Sequence, residues 1–220
     1  MPDELTIADI QQSFFEYRAD FKEPIVGFWF ERRQGEIITA LHRALSPWNV
    51  VLENITWNQA PKNAAEIQLT FGIPTLVAAL QVGLGGLVMN AINPDWSRAP
   101  QFISLFQTGV DTLKGTVGQE FQSQQTTLGF HLKPGPKPFR GILSQLVNAK
   151  MLGREDATMF GVSAYSPEYS MVIDASATLP NGVFVKLIRI FPATARFEEM
   201  AGTIYKDEET ALSRLGLKLQ

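Results

Sequence analysis

The residues able to move protons or hold metals are few. The chain has two histidines, His42 and His131, and no cysteine. Without cysteine there is no thiol nucleophile, disulfide, iron–sulfur cluster or thiolate zinc site. A hydrolytic triad needs a nucleophile, an imidazole base and an acid to orient it. Only His42 or His131 could be that base. His42 stands beside Arg43 in a segment of helical spacing and reads as a solvated or capping side chain. His131 lies between Phe130 and Leu132, opposite in parity to both, and reads as the polar face of a strand. No G-x-S-x-G turn is present. Neither histidine has a second histidine or a carboxylate at helical ligand spacing. No catalytic set, metal site or cofactor is therefore expected. Among the acids, the alternation around Asp174 points it outward. Asp95, after Asn93-Pro94, reads as a turn and helix start. The run from Lys206 to Glu209 reads as the solvated face of a last helix. A carboxylate-based enzyme would need two acids converging in one cleft, and no spacing here implies that.

The most apolar run, residues 75–96, offers three readings. As a membrane span it is interrupted by Gln81, Asn90 and three glycines, and it lacks flanking lysine or arginine. As a phosphate loop, Gly83-Leu84-Gly85-Gly86 has the wrong spacing, and no lysine occurs between Lys62 and Lys114. The β-hairpin reading fits best: Leu76 to Val82, a turn at 83–86, and Leu87 to Ile92. Glycines with positive φ are expected in the turn. Both parities are nearly apolar, so the hairpin is expected in a sheet covered on both faces, or else with one face exposed for interaction.

These segments must be positioned by the rest of the chain. Its 220 residues, 45% hydrophobic and 19% charged, describe a folded globular protein. The net charge of −3 lowers the expectation of nucleic-acid binding. The opening residues lack the basic and apolar regions of a signal peptide, so a cytoplasmic location is expected. Ile7, Ile10, Phe14, Tyr17 and Phe21 step by three and four and predict an amphipathic helix over 1–21, with Thr6 and Asp9 as its capping box. Strands are predicted at 24–30, 49–57 and 65–73, with a short helix between the first two. A long helix follows Trp96, with Phe102, Phe106, Val110, Leu113 and Val117 on one face and its end at Gly115 or Gly118.

The second half repeats this order. A strand at 122–132 precedes the stiff loop KPGPKP and a helix at 139–149. Strands at 159–165, 169–178 and 183–191 follow, with a hairpin turn at Leu179-Pro180-Asn181-Gly182, then a helix at 195–215. The expected fold is α+β: one antiparallel sheet with helices packed on one face, in a single domain of two structurally repeated halves, 22–120 and 121–216. That order resembles the duplicated saddle of the TATA-box-binding protein and its ligand-holding helix-grip relatives.

Three segments together carry a further resemblance. They are Pro24-Ile25-Val26 with Phe28 and Phe30; Leu80-Gln81-Val82-Gly83 with Leu87-Val88-Met89-Asn90, Pro94 and Trp96; and Thr127-Leu128-Gly129-Phe130. They are similar to a sporadically distributed family of bacterial proteins of unknown function. Its members usually carry an arginine and a tyrosine near the third segment, where Phe130 and His131 stand here. The resemblance implies a fold and brings no catalytic residue across.

The expected function is non-enzymatic binding or assembly, through a sheet face or apolar groove, with a protein partner or a second copy. Trp29, Trp57, Leu84, Leu87, Trp96 and Phe130 are the residues expected to make that surface. The alternative is a carrier with a small apolar ligand enclosed between sheet and long helix. Nucleic acid stacking on aromatic strand positions is the outsider.

Overall fold

In the computed structural model of the chain, residues 6–58, 61–133, 161–214 and 217–219 are described. The KPGPKP loop and the helix predicted at 139–149 lie outside them. The fold is α+β, an antiparallel sheet with helices packed against it. Two compact units divide the chain: residues 15–126 with 190–201, and residues 1–14 with 127–189 and 202–220.

In the first unit the sheet runs β2-β3-β4-β5-β1-β6. These strands are β1 (Thr6–Phe21), β2 (Ile55–Trp57), β3 (Gln68–Ile73), β4 (Ala78–Gly83), β5 (Gly86–Ile92) and β6 (Phe121–Lys133). Strands β1 and β6 pass through both units.

The N-terminal helix predicted over 1–21 is instead β1. Ser13, Phe15, Tyr17, Ala19 and Phe21 are all buried, a strict period of two. Ser13 and Ala19 are small, so they drop out of an apolar count, and the remaining large residues mimic a helical step. The strand predicted at 24–30 is likewise replaced, by the short helix α1 (Val26–Phe30). Its turn is closed by Glu31 N–H donating to the Gly27 carbonyl at 2.9 Å, and Arg33 stacks over the Phe28 ring at 4.3 Å. Tertiary contacts here outweigh the strand propensity of Ile, Val, Phe and Trp. Helix α2 (Gln34–Leu45) follows, burying Ile37, Leu41 and Leu45. Of the strand predicted at 49–57 only β2 forms. Asn49 is left-handed at φ 57°, and a 3₁₀ turn occupies Leu52–Asn54.

The hairpin forms as predicted, with Val82 paired to Leu87 and Ala78 to Ala91. One face is buried: Ala78, Leu80, Val82, Leu87, Met89 and Ala91. The opposite face is half-covered, so the apolar run does not reflect equal burial on both sides. No turn glycine is left-handed. Gly86 is needed for space instead, because a Cβ there would lie 2.2 Å from the Ala19 carbonyl oxygen on β1.

Helix α3 (Ala99–Val117) buries Phe102, Phe106, Val110, Leu113 and Val117 as predicted. Asp95 accepts from Ser97 N–H at 3.0 Å just before it, and those Ser97 hydrogen bonds hold the Asp95 carboxyl below its ordinary range. Gly118, left-handed at φ 64°, ends the helix and donates to the Lys114 carbonyl. Gly109 lets the helix approach the sheet, since a Cβ would meet Met89 at 2.6 Å and Leu80 at 2.7 Å.

The second unit's sheet runs β1-β6-β9-β8-β7, with β7 (Gly161–Tyr165), β8 (Tyr169–Ala175) and β9 (Val183–Phe191). The strand β10 (Leu217–Leu219) pairs in parallel with the start of β1. The predicted turn at 179–182 is present, with Asn181 left-handed at φ 59°. Helix α4 (Phe197–Arg214) runs through both units. Its run 206–209 is not simply solvated. Asp207 makes a part-buried double hydrogen bond with Arg189, whose guanidinium also stacks on Tyr169. Burial, with Glu209 beside it, raises the Glu208 carboxyl to about 7.

Candidate functional site

A cleft of about 520 Å³ opens in the first unit, within the size range of small-molecule and peptide sites. Helices α1 and α2 form one wall with Trp29, Phe30, Gln34, Gly35 and Ile38. Trp57 of β2, Leu69 of β3 and the connecting residues Asn58, Pro61 and Ile67 form the other. The wall depends on α1 being a helix. The Gln34 side chain donates to the Trp29 carbonyl at 2.9 Å and ties the end of α1 to the start of α2. Strand β2 is an edge strand, which leaves Trp57 half-exposed at its end.

The lining is mostly aromatic and apolar, carries the amides of Gln34 and Asn58, and has no charged side chain. Phe30 is 73% exposed and Trp57 51%. A Cβ added at Gly35 meets nothing within 4 Å, so this position leaves open space. The nearest acid, Glu66, is turned to structure: it accepts from Lys62 N–H and the Asn63 amide at 2.9 Å and from the Asn58 amide at 3.3 Å. The indole N–H of Trp29 is shielded from solvent and has no hydrogen-bond partner among the described residues. Leaving such a donor unsatisfied costs ~1–3 kcal/mol.

The predicted site residues separate into three groups. Trp29 and Trp57, distant in sequence, meet in this cleft. Leu84 is half-buried in the hairpin turn, where its carbonyl accepts from Ile25 N–H. Trp96 packs on Phe15 and Phe102, with ring centroids 6.2 and 6.4 Å away. Leu87 and Phe130 are core residues, 1% and 0% exposed, and offer no surface. The other lining residues, Phe30, Gln34, Gly35, Ile38, Asn58, Pro61, Ile67 and Leu69, were not expected at the site. Only Gly35, an isolated glycine opening a helix, gave any signal.

The face of the sheet beside α3 is closely packed. Phe15 stacks on Phe106 at 5.6 Å, Phe106 meets Phe197 at 5.5 Å, and Gly109 sits against Met89 and Leu80. The buried polar group nearby is satisfied: Tyr17 donates to Gln124, whose amide donates to the Pro192 and Ala195 carbonyls. Burial and Asp111 raise the Tyr17 phenol far above its ordinary value, so it stays protonated.

In the second unit, His131 Nδ1 lies 2.9 Å from Ser176 Oγ and 3.2 Å from Thr178 Oγ1. Ser176 Oγ also accepts from Leu179 N–H at 2.9 Å and Thr178 N–H at 3.2 Å. These bonds shape the turn into β9. Burial lowers the His131 pKa. The ring stands 4.8 Å from Phe184, which stacks on Phe14. Phe14 covers Gly129, where a Cβ would lie 2.1 Å from its ring. Among the described residues no group of three or more potential ligands gathers for a metal. No described helix is long and apolar enough to cross a membrane.

No protein-family model matches the chain, and no curated protein matches it. The solved structure of the PH1819 protein from Pyrococcus horikoshii OT3 aligns at 8% identity over 96% of this chain and 80% of that one, with a TM-score of 0.21. A score that low carries no argument.

Proposed function

We propose that the chain is a non-enzymatic binding protein that engages a protein partner through the Trp29–Trp57 groove. One observation carries this reading. Two tryptophans from separate elements, with the exposed Phe30, share one open, uncharged cleft. Tryptophan supplies large, rigid contact area and is enriched where interfaces concentrate their energy. Catalysis would need convergent acids, bases or nucleophiles, and the lining holds none. The open form of the cleft favours a partner's surface over an enclosed ligand, and the close packing of Phe15, Phe106 and Gly109 beside α3 weighs against the carrier reading.

The test is affinity capture with the full chain and its Trp57→Asp and Phe30→Asp variants. Both positions are exposed, so the variants should fold. The expected result is a protein partner held in stoichiometric amount by the parent and released by both variants. Retention of that partner by both variants, or capture of a small apolar molecule alone, would count against the reading.

A further inference from the structure

We infer that the free edge of β7 pairs with the same edge of a second copy of this chain, antiparallel across a two-fold axis at Ser163. This surface lies in the second unit and does not depend on the groove.

Strand β7 ends the sheet among the described residues. A bare strand edge offers its N–H and C=O groups to any other strand, and edges that stay single are guarded by charge, proline, a bulge or a covering element. The sequence Gly-Val-Ser-Ala-Tyr has no charge and no proline, and its register with β8 runs unbroken from Gly161–Asp174 to Tyr165–Ser170. Gly161, Ser163, Ala164 and Tyr165 are exposed, and Tyr165, at 77%, is the most exposed large apolar side chain among the described residues.

The fit of this strand to itself singles out a second copy. Ser166 N–H donates to the Tyr169 carbonyl at 2.7 Å where the β7–β8 hairpin closes. Bonded residues alternate along an antiparallel ladder, so Val162 and Ala164 bond to β8, while Gly161, Ser163 and Tyr165 turn their backbone groups to the open edge. An axis at Ser163 sets Ser163 opposite Ser163 and Gly161 opposite Tyr165. Every outward-facing residue then meets an outward-facing residue and exchanges backbone hydrogen bonds with it. The side chains match too. Each Tyr165 ring covers a glycine, an aromatic–glycine pairing that steadies strand edges. Asp174 flanks Gly161 from β8, with its carboxylate 3.2 Å from where a Gly161 Cβ would lie, and offers an acceptor to the phenol reaching across. On the other face Val162 meets Ala164 and continues the apolar row of Met171 and Ile173. A charged residue on β7 would face its own copy across this axis, and the strand has none.

The test is sedimentation velocity of the full chain over a concentration series. One strand pair is a small interface, so a reversible monomer–dimer equilibrium is expected. Ser163→Lys and Ser163→Glu should each lose the dimer, and an equimolar mixture of the two should regain it, because opposite charges then face each other. Trp57→Asp, in the groove, should leave the dimer unchanged. The chain has no cysteine, so Ser163→Cys adds a single thiol, and mild oxidation should link two copies through it. Circular dichroism verifies that each variant is folded. A parent that stays monomeric up to about 1 mM would overturn the inference. So would a dimer that survives Ser163→Lys, a charge-swapped mixture that stays monomeric, or a Ser163→Cys chain that does not cross-link. A dimer lost in Trp57→Asp but kept in Ser163→Lys would place self-association at the groove instead.

Discussion

Two regions of the first unit solve opposite problems, although α2 packs directly against α3. Beside α3, helix and sheet pack closely. Gly109 removes the side chain that would hold the backbones apart, and Leu80 and Met89 close over it. Beside α1 and α2, Gly35 also lacks a side chain, but nothing approaches it. The first glycine is spent on close packing and the second leaves room. The same residue type therefore means opposite things, depending on what the neighbouring strand places across from it. The buried indole N–H of Trp29 has no hydrogen-bond partner among the described residues, whereas the buried Tyr17–Gln124 pair beside α3 is bonded.

The contrast can be broken first from the packed side. Leu80→Ala should cost ~2–5 kcal/mol, because the side chain is 1% exposed and its loss leaves a cavity under α3. Urea denaturation measures this, and a loss below ~1 kcal/mol would mean the face is looser than its contacts imply. The next effect is one of pH. Glu208 is raised from 4.5 to about 7, so the folded state keeps a proton that the unfolded state has released. The Glu208 contribution to stability should be fully present below pH 4.5 and be lost as pH rises from 4.5 to about 7. The fall should be ~1–3 kcal/mol, and Glu208→Gln should flatten it. Groove binding should not follow that curve, because no lining residue titrates. A matching pH profile for both would mean that the two are coupled.

Overpacking gives the third test. Gly109→Leu should destabilise by ~1–3 kcal/mol, since its new atoms meet Met89 and Leu80. Gly35→Leu should leave thermal stability nearly unchanged, because its site is open. Equal melting temperatures for the two variants would erase the distinction between a filled and an open side. The smallest effect is expected at Trp29→Phe. Removing an unmatched donor should leave stability level or slightly raise it. A clear destabilisation there would show that the indole N–H has a partner in solution.

Much of the sheet was readable as pattern. The hairpin of β4 and β5 and the helix α3 carry clean periods of two or of about 3.6 and form where their patterns place them, while of the strand predicted at 65–73 only Gln68–Ile73 forms, because Ala64–Glu66 close a 3₁₀ turn. The failures have a common cause. In β1 the buried parity includes Ser13 and Ala19, which carry little apolar weight, so the large residues left over fell on a false helical step. In α1 five residues are too few to show a period at all. The run at 206–209 looked solvated because charge normally faces water, yet Arg189 comes from β9 to pair with Asp207. The turn glycines were assigned a dihedral role, when Gly86 is small because β1 lies against it.

The sequence by itself determined the absence of thiol chemistry, the α+β class and the apolar faces that meet in the core. Those properties follow from residue type and short-range period, which any local stretch carries with it. Only the tertiary structure decided that Trp29 and Trp57 share a groove while Leu87 and Phe130 vanish into the core. Which aromatic is buried depends on what the sheet brings across from it. That information lies between residues far apart in the chain, and no local pattern records it.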